Sequence, residues 1–154
     1  EGTALAKIWQ FDAGLYLPFK IEQEQFSFSL QHQQQIAVNR LTSQDQFSIG
    51  SRYSVRGFDG ERTLSADNGR FTRGEFAWHA PSLAYQVYLA TDYGVVNGPD
   101  AEFLLGRHLA GAALGLRGNW QNFGYDLYMG LPLSKPDGFI TDDLMFAFTL
   151  NYEF

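Results

Sequence analysis

Few residues in this chain have chemistry to offer. The three histidines, His32, His79 and His108, are scattered, and none sits beside a nucleophile signature. His79 precedes Ala80-Pro81 at an expected turn, and His108 follows Arg107 in an expected loop. There is no cysteine, which excludes a disulfide framework, thiol catalysis and a zinc–cysteine site. The sequence carries no metal-ligand spacing, no Gly-rich phosphate loop and no dinucleotide fingerprint, so neither a metal nor a cofactor is expected. A barrel enzyme of the lipase, protease or acyltransferase kind would need a nucleophile, a base and an orienting acid near one rim, and this sequence does not supply them. What stands out instead is an arginine, Arg56, set between Val55 and Gly57 in the polar stretch "FSIGSRYSVRGFDGERTLSADNGRFTRGEFAW". An arginine taken out of water needs a carboxylate, ideally one gripped by both forks of the guanidinium, because an unpaired buried charge is very costly.

The elements that would position such a partner follow from hydrophobic alternation. The last segment, "LMFAFTLNYEF", sets Phe146, Phe148, Leu150, Tyr152 and Phe154 against Ala147, Thr149, Asn151 and Glu153. Large apolar groups outward and small or polar groups inward is the signature of a membrane-barrel strand. The same period recurs over Lys7–Leu17, Gln25–Val38, Gln46–Ser54, Arg70–Ala80, Ala84–Val95, Leu109–Asn119 and Phe123–Leu133. The fold class expected is therefore all-β, with about eight antiparallel transmembrane strands, each near the ~9–11 residues needed to cross a bilayer at a tilt. Short connections ("PFKIEQ", "APSL", "WQNF") and long ones ("NRLTSQD", "NGPDAEFLLGRH", "SKPDGFITDD") fit the short periplasmic turns and long external loops of such barrels. No apolar run approaches the ~18 residues of a membrane helix. The net charge of −6 argues against nucleic-acid binding, which would call for a basic stripe.

This alternation puts Arg73 and Glu75 on the lumen side of one strand and Asp92 on the same side of the next. Val55 to Asn68 is too long for a tight hairpin. Two readings follow from the residues alone: a solvated loop, or a loop folded back into the barrel, where Arg56 meets Glu75 or Asp92. In the second, Gly57 and Gly60 let the backbone turn and Phe58 packs the tip.

The same stretch resembles the hallmark segment of the two-partner secretion transporters, the TpsB family. The likeness rests on Val55, Arg56, Gly57 and Phe58, on Gly50 before them, and on Gly69, Arg73 and Glu75 after them. It continues through "TDYG", which contains Asp92 and Gly94, then "LAGAALGLRG", "YDLYMGLPLSKP" and the terminal strand; Ala90 and Gly74 depart from the residues usual in the family. The resemblance implies a sixteen-stranded barrel preceded by POTRA domains, with residues 1–154 forming the C-terminal portion of the barrel. It implies a bacterial outer-membrane pore, not an enzyme, that exports an unfolded TpsA-type exoprotein (haemolysin, adhesin or toxin) without nucleotide. The long loop would then enter the barrel, with Arg56 on Asp92 and Glu75 as a second acidic partner. Membrane lipids, lipopolysaccharide and the barrel assembly machinery are further expected partners. Phe148, Leu150, Tyr152 and Phe154 resemble a C-terminal assembly signal. An assembly or insertion factor of the same superfamily and a small stand-alone eight-stranded barrel are the alternatives.

Overall fold

The computed structural model describes residues 5–80 and 84–153. Among these residues nine strands follow in order: β1 (Ile8–Ile21), β2 (Glu24–Ala37), β3 (Phe47–Ile49), β4 (Leu64–Ala66), β5 (Asn68–His79), β6 (Tyr85–Asn97), β7 (His108–Trp120), β8 (Phe123–Ser134) and β9 (Met145–Tyr152), with a 3₁₀ turn at Pro99–Phe103 between β6 and β7. Seven of the strands form one antiparallel sheet in the order β1-β2-β5-β6-β7-β8-β9, while β3 and β4 form a separate ribbon. The all-β antiparallel architecture is as expected from the alternation.

Register fixes which side chains share a face. Leu15 lies across from Leu30, Phe28 from Phe76, Leu89 from Leu114 and Leu127 from Phe148. This continuous face is apolar and exposed, with Leu89, Leu127 and Phe148 at 56%, 47% and 72%. Such a face needs hydrocarbon around it, which a bilayer supplies. Near the short-turn end it is fastened by aromatic pairs across strands: Phe19 on Phe26 at 5.7 Å, Phe26 on Phe76 at 5.5 Å and Phe123 on Tyr152 at 4.9 Å. The opposite face carries Ser27, Ser29 and Gln31 on β2, Arg73 and Glu75 on β5, Ala90 and Asp92 on β6, and Gly111, Ala113 and Gly115 on β7. It is the inner wall.

Two-residue turns at Glu22–Gln23 and Gln121–Asn122 close β1–β2 and β7–β8, and their first residues take left-handed φ values of 55° and 52°. The strands run closer to these turns than the sequence suggests: Phe19 and Ile21 still pair within β1–β2, and Trp120 pairs with Phe123.

Gln46–Ser54, expected as a barrel strand, departs from expectation. Only Phe47–Ile49 is extended, and it pairs with Leu64–Ala66 off the main sheet. The chain breaks at Gly50, whose φ is 111°. The Ser54 hydroxyl accepts the N–H groups of Gly50 and Ser51, and the N–H groups of Ser54 and Val55 return to the Ser51 carbonyl. A capped helical turn has replaced the ladder. With that strand removed, the two long connections flanking it merge into one excursion, residues 38–67. Short and long connections then alternate strictly, the long ones (38–67, 98–107 and 135–144) all at one end of the sheet.

Apolar side chains of the excursion are buried against protein rather than lipid. Ile49, Val55, Phe58 and Leu64 pack with Phe71, Val96, Leu109 and Phe139 into a cluster on the inner wall, and the first three of these are fully shielded. Burying each is worth roughly 1.5–3 kcal/mol. The core of this chain thus lies on the lumen side of the sheet and consists largely of the loop packed onto it.

Candidate functional site

Arg56 is carried to the wall by the turn that Gly50 and Ser54 begin and that Gly57, at φ 106°, ends. A side chain at Gly57 would be strained there and would also strike the backbone of Leu131 on β8. Asp92 and Glu75 arrive from neighbouring strands: Arg73 is register partner of Asp92, and Glu75 of Ala90, so both carboxylates project inward.

The guanidinium lies between them. Its Nε donates to Asp92 Oδ2 and its Nη2 to Asp92 Oδ1, each at 2.8 Å, while Nη1 donates to Glu75 Oε2 at 2.7 Å. The backbone N–H of Arg56 also donates to Asp92 Oδ2 at 2.8 Å, so Asp92 holds main chain and side chain together. The Arg56 and Asp92 side chains are 5% and 0% exposed, and Glu75 is 12% exposed. A fork-to-fork pair of this kind combines charge with fixed geometry, and removing one partner from such a buried pair costs about 3–5 kcal/mol.

The wall is shaped to receive the loop. A Cβ at Gly111 would collide with the Arg56 carbonyl oxygen, and one at Gly130 would press on the Gly57 backbone at 2.9 Å. Gly94 lies beneath Val55 and Ile49, and Gly69 beneath Phe47. Val55 and Phe58 are fully buried, the latter edge-on to Phe139 at 5.9 Å. Just past the tip, the Asp59 carboxylate accepts the Glu61 N–H at 2.9 Å, the Thr141 hydroxyl at 3.1 Å and the Asp142 N–H at 3.2 Å. Partial burial pushes this carboxyl up, but these three donors hold it below the usual carboxylate range.

The residues named from sequence are brought together, and others complete the set. Arg73 Nε stands 3.6 Å from Asp92 Oδ2, and its Nη1 donates to the Tyr53 carbonyl at 3.3 Å. Arg117 on β7, which spacing alone does not single out, donates to Glu75 Oε1 at 2.9 Å and Oε2 at 3.3 Å, and to Asp126 Oδ2 at 3.0 Å. The Tyr88 hydroxyl donates to the other Asp126 oxygen at 2.6 Å, and the Arg117 guanidinium lies 4.4 Å from the Tyr88 ring centre. The signal for them was present, since both charges interrupt the small-residue face of their strands. Three arginines (56, 73, 117) thus alternate with three carboxylates (75, 92, 126). Phe148, Leu150 and Tyr152 lie on the outward face of β9, and Phe154 lies outside the described residues.

Among the described residues, His79 Nε2 shares a hydrogen bond with the Ser27 hydroxyl and His32 Nδ1 with the Thr72 hydroxyl, both at 2.8 Å, and His108 Nε2 lies 3.4 Å from the Ser134 hydroxyl. No group of His, Asp or Glu side chains suited to a metal ion occurs among the described residues.

The sequence profile of the haemolysin secretion/activation proteins ShlB/FhaC/HecB matches residues 1–118. An outer membrane transporter of Burkholderia pseudomallei, CdiB-2, is 37% identical over 152 residues, covering 96% of this chain and 26% of the relative. An outer membrane transporter CdiB of Escherichia coli is 33% identical over 114 residues, covering 71% of this chain and 19% of that protein. The solved structure of CdiB from Escherichia coli superposes with a TM-score of 0.78 at 26% identity, covering 94% of this chain and 27% of that one. The chain therefore spans about a fifth to a quarter of the length of these relatives. Its relatives are transporters rather than enzymes, its place is the bacterial outer membrane, and the chain belongs to the ShlB/FhaC/HecB family of haemolysin secretion/activation proteins.

Proposed function

We propose that this chain is the C-terminal portion of an outer-membrane export barrel, through which an unfolded partner exoprotein crosses by two-partner secretion. The observation that carries the reading is the Val55–Phe58 loop lying on the lumen wall, with Arg56 divided between Asp92 and Glu75. A loop held this way occupies lumen that an open pore would leave to solvent. It provides a fixed element beside which an extended polypeptide can pass.

The sheet order supports placement in a larger barrel, since β1 and β9 are its two edges and an open edge within a bilayer must be paired by further strands. A self-closed small barrel would leave little room for the loop, because about eight strands enclose only a side-chain-filled interior. POTRA domains in the complete protein would supply recognition of the exoprotein. The outward aromatics of β9 supply both lipid contact and a surface that the assembly machinery reads.

The test is export itself. In cells expressing an exoprotein encoded beside the transporter, deletion of the transporter gene should leave the exoprotein in the periplasm, and the complete transporter should return it to the medium. Export unaffected by the deletion would remove the reading.

A further inference from the structure

Each carboxylate that holds Arg56 already has a second arginine of the wall at hand. Glu75 receives Arg117 at 2.9 Å on the oxygen that Arg56 leaves free, and shares its other oxygen with both arginines. Asp92 has Arg73 at 3.6 Å, on the same oxygen that takes Arg56 Nε. Arg117 is further steadied by Asp126, itself held by the Tyr88 hydroxyl, so it stays in place whatever the loop does. Arg117 donates to the wall residues Glu75 and Asp126, and the loop contact of the two is that of Arg73 Nη1 on the Tyr53 carbonyl at 3.3 Å. Asp92 already accepts three donors of Arg56, and a further like charge beside Arg56 opposes it electrostatically.

We propose that Arg117 and Arg73 are positioning residues that take over Glu75 and Asp92 when the loop leaves the wall, so that undocking exchanges partners rather than breaking a buried ion pair. With both in place, the wall without Arg56 keeps two cations against three carboxylates, and neither Glu75 nor Asp92 is stranded. Without them, departure of Arg56 would leave both carboxylates to water alone on the vacated wall, with no neighbouring cation to balance them. The two arginines therefore weaken docking while making it reversible. This rests on the reading of residues 50–60 as a wall-docked loop of an export barrel.

The experiment follows loop position rather than export. The complete transporter, freed of other cysteines, carries Val55→Cys. This fully buried position reacts with a membrane-impermeant maleimide only when the loop has left the wall. Relative to that background, Arg117→Gln and Arg73→Gln should each slow labelling, by about three- to tenfold given the usual coupling between residues of one charged network. Arg117→Lys, which keeps the charge, should label at the background rate, and Arg56→Gln should label faster. Labelling unchanged or accelerated by Arg117→Gln overturns the proposal for Arg117, which would then merely brace Glu75, and the same outcome for Arg73→Gln overturns it for Arg73. Heat-modifiable migration verifies that each variant is an assembled barrel; if Arg117→Gln does not assemble, Arg117→Met, which keeps the length without the charge, carries the test for Arg117. Because labelling needs no cargo, a failure here is distinct from a failure of export.

Discussion

Arg56 was readable as a residue in need of a carboxylate, and strand alternation limited the choice to Glu75 and Asp92. What spacing could not convey is that one guanidinium reaches both, and that Asp92 also takes the Arg56 backbone N–H. Nor did it reveal Arg117 and Asp126, since a charge at mid-strand finds its partner through register, which only the assembled sheet defines. The asymmetry of the contacts yields a graded prediction. Asp92→Asn loses the bidentate pair and should weaken loop docking by about 3–5 kcal/mol, whereas Glu75→Gln, whose site is also served by Arg117, should have a smaller effect. Exposure of the loop to trypsin in isolated outer membranes would rank the two. Charge reversal of the pair, Arg56→Asp with Asp92→Arg, should restore little. An arginine at position 92 would lie across from Arg73 on the adjacent strand, and like charges directly opposite are destabilising. Recovery of wild-type trypsin resistance by that double variant would contradict the assigned geometry.

Among the elements, the strands were legible because lipid imposes a strict period of two, while the excursion was not, because its alternation at Phe47–Ile49, buried-exposed-buried, belongs to a three-residue ribbon whose apolar side packs on the inner wall. A local pattern cannot distinguish a membrane strand from a short one packed against an inner wall. The wall glycines show the same limit. Gly111 reads as one more small lumen residue until the Arg56 carbonyl is found against it. Gly111→Ala should lift the loop, at a typical overpacking cost of about 1–3 kcal/mol, and accelerate tryptic cleavage within residues 52–62 while β7 stays paired. The loop tip has its own tether at Asp59. Its carboxyl is held low in the folded protein, so the tether's contribution is complete above the ordinary carboxylate value of about 4 and is lost as the pH falls through the depressed one. Hydrogen exchange over residues 57–61 should be unchanged from neutral pH down to about 4, after correction for intrinsic rates, and rise below it. Asp59→Asn should abolish that acid dependence, and an equal acid response in the variant would refute the tether.

The molecule as a whole is a sheet with a lipid face, a lumen face and two edges, whose core is supplied by its own loop. Family membership and outer-membrane location emerge from motif and alternation together, whereas closure does not, since β1 and β9 are left as the two edges of the sheet. The 154-residue chain on its own should therefore give no uniform channel in a planar bilayer, while the complete transporter should conduct, and more so when the loop is undocked. The central claim is that the Arg56 anchor serves export. The most direct measurement is exoprotein in the medium per assembled barrel for Arg56→Ala in the complete transporter. The account predicts a fall of about tenfold or more, in keeping with loss of a buried charge pair, with barrel abundance and heat-modifiable migration unchanged. Full secretion by a well-folded Arg56→Ala barrel would contradict it.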